Sequence, residues 1–296
     1  MNIKNISIEN NRELYQKETV YSSLEFAKNI TNDDFVDSRV NIHYYWRVPR
    51  EFGHKQQSAI MSSIVNHNLN KVKIILWSNI DLSSNAYFKE ISDYVENKIW
   101  NPEKEAEGTP LENSNIFKST VDDSLCWLGG DLFRLLCLYK YGGVYSDVDV
   151  LFLRDITPLT STEFMYQWGA SGVQNKEPNI EINGAVMHLH AKSKLAFQLI
   201  KQLEVIKPVS NTNSWGKILY QQVRSKNKDW NIFPCAWFNT EWITGELNPF
   251  KKVDNPPLYD GAFSWHWHNR WDDPIESGSK FDILDTIIRD KFSNLR

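Results

Sequence analysis

Residues 129–158 read GGDLFRLLCLYKYGGVYSDVDVLFLRDITP, which joins an amphipathic helix, a glycine stop and a strand bearing two acids two positions apart. Leu128, Leu132, Leu135 and Tyr139 recur at the three- to four-residue spacing of one buried helix face, and Asp131 and Arg134 share another. Gly142 and Gly143 stop the helix where positive backbone dihedrals are needed, and residues 144–153 then read as a β-branched, apolar strand. Side chains alternate along a strand, so Asp147 and Asp149 are expected to point the same way. Two adjacent carboxylates repel unless a cation or a proton lies between them. Hard oxygen ligands on so short a reach suit Mg2+ or Mn2+ held with a diphosphate, because those ions keep positions open for phosphate oxygens and water.

Around this block, strand and helix alternate in the manner of a parallel-sheet α/β domain. Strands are predicted at 41–46, 71–78, 164–173 and 182–188, and helices at 58–68, 86–95 and 192–205. The acidic stretch 101–113, with two prolines and a glycine, reads as a loop or lid. Residues 208–296 are aromatic-rich and less regular. The expected organisation is a weakly packed N-terminal helical addition at 1–38, with Leu14, Tyr21 and Leu24 along one side of a helix, a main domain at 39–275, and a C-terminal helix at 276–296.

Composition removes several function classes. With 41% hydrophobic and 24% charged residues the 296-residue chain is that of an ordinary globular protein. A net charge of −4 without a Lys/Arg stripe gives no footprint for nucleic acid. Cys126, Cys137 and Cys235 lack metal-ligand spacing and are expected as reduced thiols. The first 30 residues lack the apolar core of a signal peptide, and no apolar run approaches the ~20 residues of a membrane helix. The expectation is a cytoplasmic protein, or a soluble catalytic piece whose anchor lies elsewhere.

Asp131-x-x-Arg134 followed by Tyr141-Gly142-Gly143-Val144-Tyr145-x-Asp147-x-Asp149 resembles the sugar-nucleotide signature of the DXD glycosyltransferases, the group of the fungal initiating mannosyltransferases, the α-1,4-galactosyltransferases and the glucosylating clostridial toxins. The resemblance implies a GT-A, Rossmann-like fold: a mainly parallel central sheet flanked by helices, with helical additions. It implies a Mn2+ or Mg2+ ion and a UDP- or GDP-hexose donor, a glycan acceptor, and transfer with retention of configuration. Asp149 would ligate the metal, while Asp147 would contact the ribose or the metal's water shell. Asp131 and Arg134 would hold donor-sugar hydroxyls; as residues alone they are equally an i, i+3 helix pair. Tyr145 would either bond the donor or pack on the sheet. Asn183, in Asn183-Gly184-Ala185, is similar to a segment that contacts the hexose, and is otherwise a turn asparagine.

Trp46 ends the first predicted strand, where an α/β sheet opens its ligand crevice, and by resemblance it stacks on the nucleotide base; failing it, His43 and Tyr44 are the candidates. The late segment 262–273 (AFSWHWHNRWDD) resembles an element that returns to the active site. His266 and His268 lie on one face if the segment is extended, and either would approach the metal, with a slight preference for His266. Trp271 would close over the nucleotide. The predicted product is a surface glycan, made in the cytoplasm or beside a membrane through a lipid-linked acceptor.

Competing readings are a toxin-like transferase that modifies a protein, an inactive sugar-binding module that would use the 12 tryptophans, and a phosphohydrolase with Asp-x-Asp after a strand. The last fits poorly, since its acids close the first strand of their fold and here a helix carrying Asp131 and Arg134 precedes them. Aside from the family resemblance, the two acids could equally cap a strand end in solvent.

Overall fold

The early alternation of strand and helix becomes a βαβαβ unit. The computed structural model describes residues 3, 6, 10–31, 39–47, 50–121, 127–169, 180–209, 214–245 and 248–295. Helix α1 (Val20–Lys28) precedes β1 (Val40–Trp46); α2 (His54–Asn66) leads into β2 (Val72–Ser78), and α3 (Ala86–Ile91) into β3 (Val95–Ile99). After α4 (Pro102–Ala106), α5 (Lys118–Val121) and α6 (Trp127–Tyr141) come β4 (Gly143–Ser146) and β5 (Val150–Phe152). Then follow β6 (Phe164–Gln167), β7 (Ile182–Leu189), α7 (Lys194–Val205), α8 (Leu219–Lys226), β8 (Asn231–Phe233), α9 (Thr240–Thr244), β9 (Ser264–His266) and α10 (Lys280–Ser293).

Seven strands form one sheet in the order β3-β2-β1-β4-β7-β6-β8. The β1/β2, β2/β3, β1/β4 and β6/β8 pairs are parallel; β4/β7 and β6/β7 are antiparallel. The α/β class with a mainly parallel sheet is therefore as expected. Strands 2 and 3 extend from one side of β1 and β4 begins the other side, so the order reverses between β1 and β4. Their carboxyl ends open the crevice that such a reversal creates, and Trp46 and Asp147 stand at those two ends. Gly143, at φ 101°, lets β4 come this close: a Cβ there would lie 2.4 Å from the Asn41 carbonyl oxygen.

Helix α6 is fastened to the sheet by aromatic rings. Phe133 stacks on Tyr45 at 4.6 Å between centroids and meets Trp100 edge-on at 4.7 Å. Burying such a ring is worth ~1.5–3 kcal/mol. Because Asp131 and Arg134 lie on the same helix, this packing also sets where their side chains start.

The structure departs from the sequence reading in several places. Residues 144–153 are not one strand: β4 ends at Ser146, a turn holds the two acids, and β5 begins at Val150. The helix predicted at 86–95 ends at Ile91, and Val95–Ile99 is an edge strand whose polar residues hid it. Loop 101–113 contains α4, capped by Asn101, whose side chain accepts from Lys104 N–H at 3.1 Å. The strand predicted at 164–173 ends at Gln167, and 170–173 lie outside the described residues. The region predicted as irregular between 208 and the C-terminal helix holds α8, β8, α9 and β9.

The N-terminal part is not weakly packed. Leu14, Tyr15, Val20, Leu24 and Ala27 are buried in the same apolar cluster that reaches Phe292, and Tyr15 donates its hydroxyl to the Ile232 carbonyl at 2.7 Å. Tyr21, expected on the packed side, is 68% exposed. Cys137 and Cys235 are buried free thiols, and Cys126 lies outside the described residues.

Candidate active site

The turn after β4 is held at both ends. Asp147 N–H donates to the Ala185 carbonyl on β7 at 2.8 Å, and Val150 N–H donates back to the Asp147 carbonyl at 3.2 Å. It is this turn, rather than strand alternation, that brings the two carboxylates together. Beyond it β5 pairs antiparallel with β9, with Val150 opposite His266. A histidine 117 positions beyond Asp149 is thereby placed beside it. Among the described residues, Asp147, Asp149 and His266 form a group whose ligand atoms lie within 4.8 Å of one another.

The segment after β9 closes on the same carboxylate. His268 and Asn269 both adopt left-handed backbone, at φ 54° and 55°. That conformation is uncommon for residues with side chains. The reversal points the Asn269 N–H at Asp149 Oδ2, 2.7 Å away, while Trp267 N–H donates to the Asp149 carbonyl at 3.1 Å. Asp149 is 2% exposed and His266 6%, so Asp149 does not cap a strand end in solvent, while Asp147 is half-buried.

The site carries the carboxylates of Asp131, Asp147 and Asp149 against one guanidinium, that of Arg134. Buried excess charge of one sign is costly unless a cation joins it. Burial and the neighbouring Asp149 raise the Asp147 pKa, against the pull of Arg134. Burial works on Asp149 in the same direction, but the His266 charge and the Asn269 amide outweigh it and hold Asp149 low. Burial disfavours the His266 imidazolium, yet Asp149 more than compensates and raises its pKa.

His266 Nε2 lies 3.1 Å from Asp149 Oδ2 but forms no hydrogen bond, while Nδ1 faces the Tyr166 hydroxyl at 3.3 Å. An imidazole nitrogen without a hydrogen bond beside two carboxylates, its other nitrogen oriented by a polar neighbour, has the chemistry of a divalent-metal site. The residues present fit Mg2+ or Mn2+.

Arg134 Nη2 lies 3.2 Å from Asp131 Oδ1 and 3.5 Å from Asp147 Oδ1, and its guanidinium stands 4.9 Å over the Tyr145 ring. Tyr145 donates its hydroxyl to Asp147 Oδ1. The helix pair and the acidic turn are therefore one network. Asn183 lies within β7, where its side chain accepts from Ala185 N–H at 2.7 Å, so it is a strand residue rather than a turn asparagine.

Trp46 and Trp271 meet edge-to-face at 5.1 Å, and Trp46 donates to the Arg50 carbonyl at 3.0 Å. His43 and Tyr44 are not brought to this site. His43 Nδ1 accepts from Trp77 Nε1 at 3.1 Å, which leaves Nε2 to donate to the Gly142 carbonyl at 3.0 Å; burial lowers its pKa to about 4. The Tyr44 hydroxyl is buried against Ser63 Oγ. His268 stacks on His266 at 4.0 Å, but its Nε2 accepts from Asn239 Nδ2 at 2.8 Å, and burial lowers its pKa to about 3. Of the two histidines, His266 alone belongs to the ligand group.

Three residues escaped the sequence reading. Tyr166 orients His266. Tyr220 contributes a buried hydroxyl beside Arg134. Lys55 Nζ donates to the carbonyls of Arg270, Trp271 and Asp273 at 2.6, 3.0 and 2.6 Å and stands 3.7 Å over the Phe250 ring, tying the late segment to α2. A lone lysine near a helix start carries no sequence signal for this, because its partners are backbone carbonyls more than 200 positions away.

The family model described as a glycosyltransferase sugar-binding region containing DXD motif matches residues 54–166, which include Asp131, Arg134, Asp147 and Asp149. The chain is 35% identical over 72 residues to the uncharacterized protein At4g19900 of Arabidopsis thaliana; that stretch is 24% of this chain and only 10% of the plant protein. Solved structures with similar chain traces include the glycosyltransferase GlyE of Streptococcus pneumoniae, at 13% identity and TM-score 0.48, covering 88% of this chain and 64% of that one. Others are the PaToxG glycosyltransferase, at 13% and 0.47 over 73% and 79%, and mouse xyloside xylosyltransferase 1, at 10% and 0.47 over 81% and 100%. At these scores the likenesses assign neither donor nor acceptor. The family match does establish that the chain carries a glycosyltransferase region with a DXD motif.

Proposed function

From a DXD glycosyltransferase region over residues 54–166, we propose that the chain is a metal-dependent, retaining hexosyltransferase that uses a UDP- or GDP-linked donor and a glycan acceptor in surface-polysaccharide synthesis. The observation that carries the reading is the Asp147, Asp149 and His266 group, with ligand atoms within 4.8 Å and an imidazole nitrogen that makes no hydrogen bond. Asp149 and His266 would hold Mn2+ or Mg2+, with Asp147 completing the shell or binding the ribose. A bound divalent ion supplies Lewis-acid stabilisation of the departing diphosphate.

The chain's own groups do the rest. Arg134 and Asp131 present a planar fork and a carboxylate to sugar hydroxyls. Tyr145 fixes the Asp147 carboxylate. Trp46 and Trp271 form an aromatic wall at the β1 end of the crevice, where a base can pack. The 262–273 segment, held by Lys55 and by the Asn269 amide, excludes water from the reacting centre. In the transfer, the bond from the anomeric carbon to the diphosphate oxygen breaks and a bond to the acceptor oxygen forms. The acceptor proton passes to the departing diphosphate. The same reading places the protein in the cytoplasm or beside a membrane bearing a lipid-linked acceptor; no helix among the described residues is long and apolar enough to cross a membrane.

The test is release of free UDP or GDP from UDP-glucose, UDP-galactose, UDP-N-acetylglucosamine and GDP-mannose, with Mn2+ or with chelator. Release from one donor that stops in chelator is expected. No release from any of them, with no thermal shift on adding UDP or GDP with Mn2+, would overturn the reading.

A further inference from the structure

Beside the acidic turn, two buried polar atoms lack a hydrogen-bond partner: the Tyr220 hydroxyl on α8 and Arg134 Nε on α6. Tyr220 is 1% exposed, and its hydroxyl stands beside the Arg134 guanidinium without a well-formed hydrogen bond to it. Leaving such a group unpaired costs free energy that phenylalanine at the same position would not incur. An unpaired buried hydroxyl calls for a specific explanation, and its surroundings supply one.

Both side chains crowd against β7 at Gly184. A Cβ on Gly184 would stand 2.6 Å from the Tyr220 hydroxyl oxygen and 3.0 Å from Arg134 Nη1. The residues on either side belong to the site wall: Asn183 turns its side chain to Ala185 N–H, and the Ala185 carbonyl accepts from Asp147 N–H. The hydroxyl is thus set within the network of Arg134, Asp131 and Asp147, whose charges all act on the phenol. Arg134 Nε–H can only donate, whereas a tyrosine hydroxyl both donates and accepts. One ligand group that accepts from the first and exchanges a hydrogen bond with the second is an alcohol, of the kind a pyranose ring carries.

We propose that Tyr220 is a specificity-determining residue of the donor-sugar pocket, its hydroxyl and Arg134 Nε–H meeting the same hydroxyl of the transferred hexose. The inference rests on the glycosyltransferase reading and adds to it a residue from outside the matched region 54–166. A site built around a substrate hydroxyl rejects the analogue lacking it far more strongly than an apolar pocket rejects a missing methylene, because its own polar atoms are left unpaired.

The experiment compares the wild-type full chain with Tyr220→Phe. Melting temperatures are taken for the protein alone, with UDP or GDP plus Mn2+, and with the matching nucleotide sugar plus Mn2+; donor KM and kcat are measured alongside. The expected variant melts at or above the wild type when ligand-free. It keeps the nucleoside-diphosphate shift but loses the further shift due to the hexose, and its donor KM rises roughly 10-fold or more. Hexose-dependent shift and KM equal to those of an active wild type would overturn the role of Tyr220 alone, as would a ligand-free melting temperature several degrees lower, which would show that the hydroxyl has a structural partner. A wild type that neither shifts with nor turns over any nucleotide sugar overturns the functional reading and this inference together.

Discussion

The backbone N–H of Asn269 donates to Oδ2 of Asp149 at 2.7 Å across 120 positions of sequence. The bond joins the end of the acidic turn to a left-handed reversal in the late aromatic segment. One carboxylate is thereby aimed by one chain segment and oriented by another. The same Oδ2 lies 3.1 Å from His266 Nε2.

Neutralising that carboxylate separates its chemical role from its structural one. Asp149→Asn retains an oxygen that can accept from Asn269 but gives up the ion pair with His266, so a modest fall in melting temperature with the fold intact is expected. Metal-dependent release of nucleoside diphosphate is expected to fall about 10³-fold, or ~4 kcal/mol of transition-state stabilisation. Turnover assays and calorimetric titration of Mn2+ check both. Undiminished, chelator-sensitive turnover would contradict the assignment of Asp149.

Arg134 offers three relationships that a lysine cannot reproduce together: to Asp131, to Asp147 and to the face of Tyr145. Arg134→Lys keeps the charge and loses the fork. Donor kcat/KM is expected to drop at least ~10-fold, while far-ultraviolet circular dichroism stays native. Normal donor kinetics would reduce Arg134 to a structural ion-pair partner.

Lys55 is expected to decide whether the late segment stays closed. Lys55→Met keeps an aliphatic stem but removes the cation over Phe250 and three charge-assisted bonds to the 270–273 carbonyls, a loss of about 2–4 kcal/mol once those carbonyls regain some water. Urea unfolding should show a lower midpoint at unchanged slope. Proteolysis should cut first within residues 262–273. A midpoint equal to the wild type would mean the three bonds contribute nothing net.

Acid should loosen the α2–α10 contact. Burial raises the Asp285 pKa, but His54 and Ser58 outweigh it, and the net direction is downward. A carboxyl with a depressed folded pKa binds its proton first in the unfolded chain. Its stabilisation is therefore complete above the unfolded value of about 3.9 and is lost as pH falls through the folded value. Asp285→Asn should lower stability at neutral pH and flatten this part of the loss below pH ~4, measured by urea unfolding at several pH values. An unchanged acid limb in the variant would remove Asp285 from the cause.

Much of the site was legible in local sequence because its partners are close along the chain. Leu128, Leu132 and Leu135 declared the buried face of α6, and the same helical period put Asp131 and Arg134 side by side. The glycine pair ended the helix where only a residue without a Cβ lets β4 approach β1. Even here the reading went one step too far. Asp147 and Asp149 converge through a turn between β4 and β5, and a turn and a continuous strand of this composition present the same alternation of apolar and acidic residues.

What the local pattern could not supply were distances between remote segments. Whether His266 or His268 joins the acids depends on the register of β9 against β5, which sets His266 opposite Val150, and on the left-handed reversal just beyond, where His268 bonds Asn239 instead. The grip of Lys55 on three carbonyls, the burial of the N-terminal residues against β8, and the unpaired Tyr220 hydroxyl against Gly184 likewise follow from packing between elements. The sequence alone determined the α/β alternation, the acidic motif and the helix pair beside it, since these arise from backbone propensity and periodicity over a few residues. The tertiary structure alone decided which histidine joins the acidic group, how deeply Asp149 is buried and which hydroxyl is packed beside Arg134, because burial and close approach are set by the sum of long-range contacts that no short window of sequence contains.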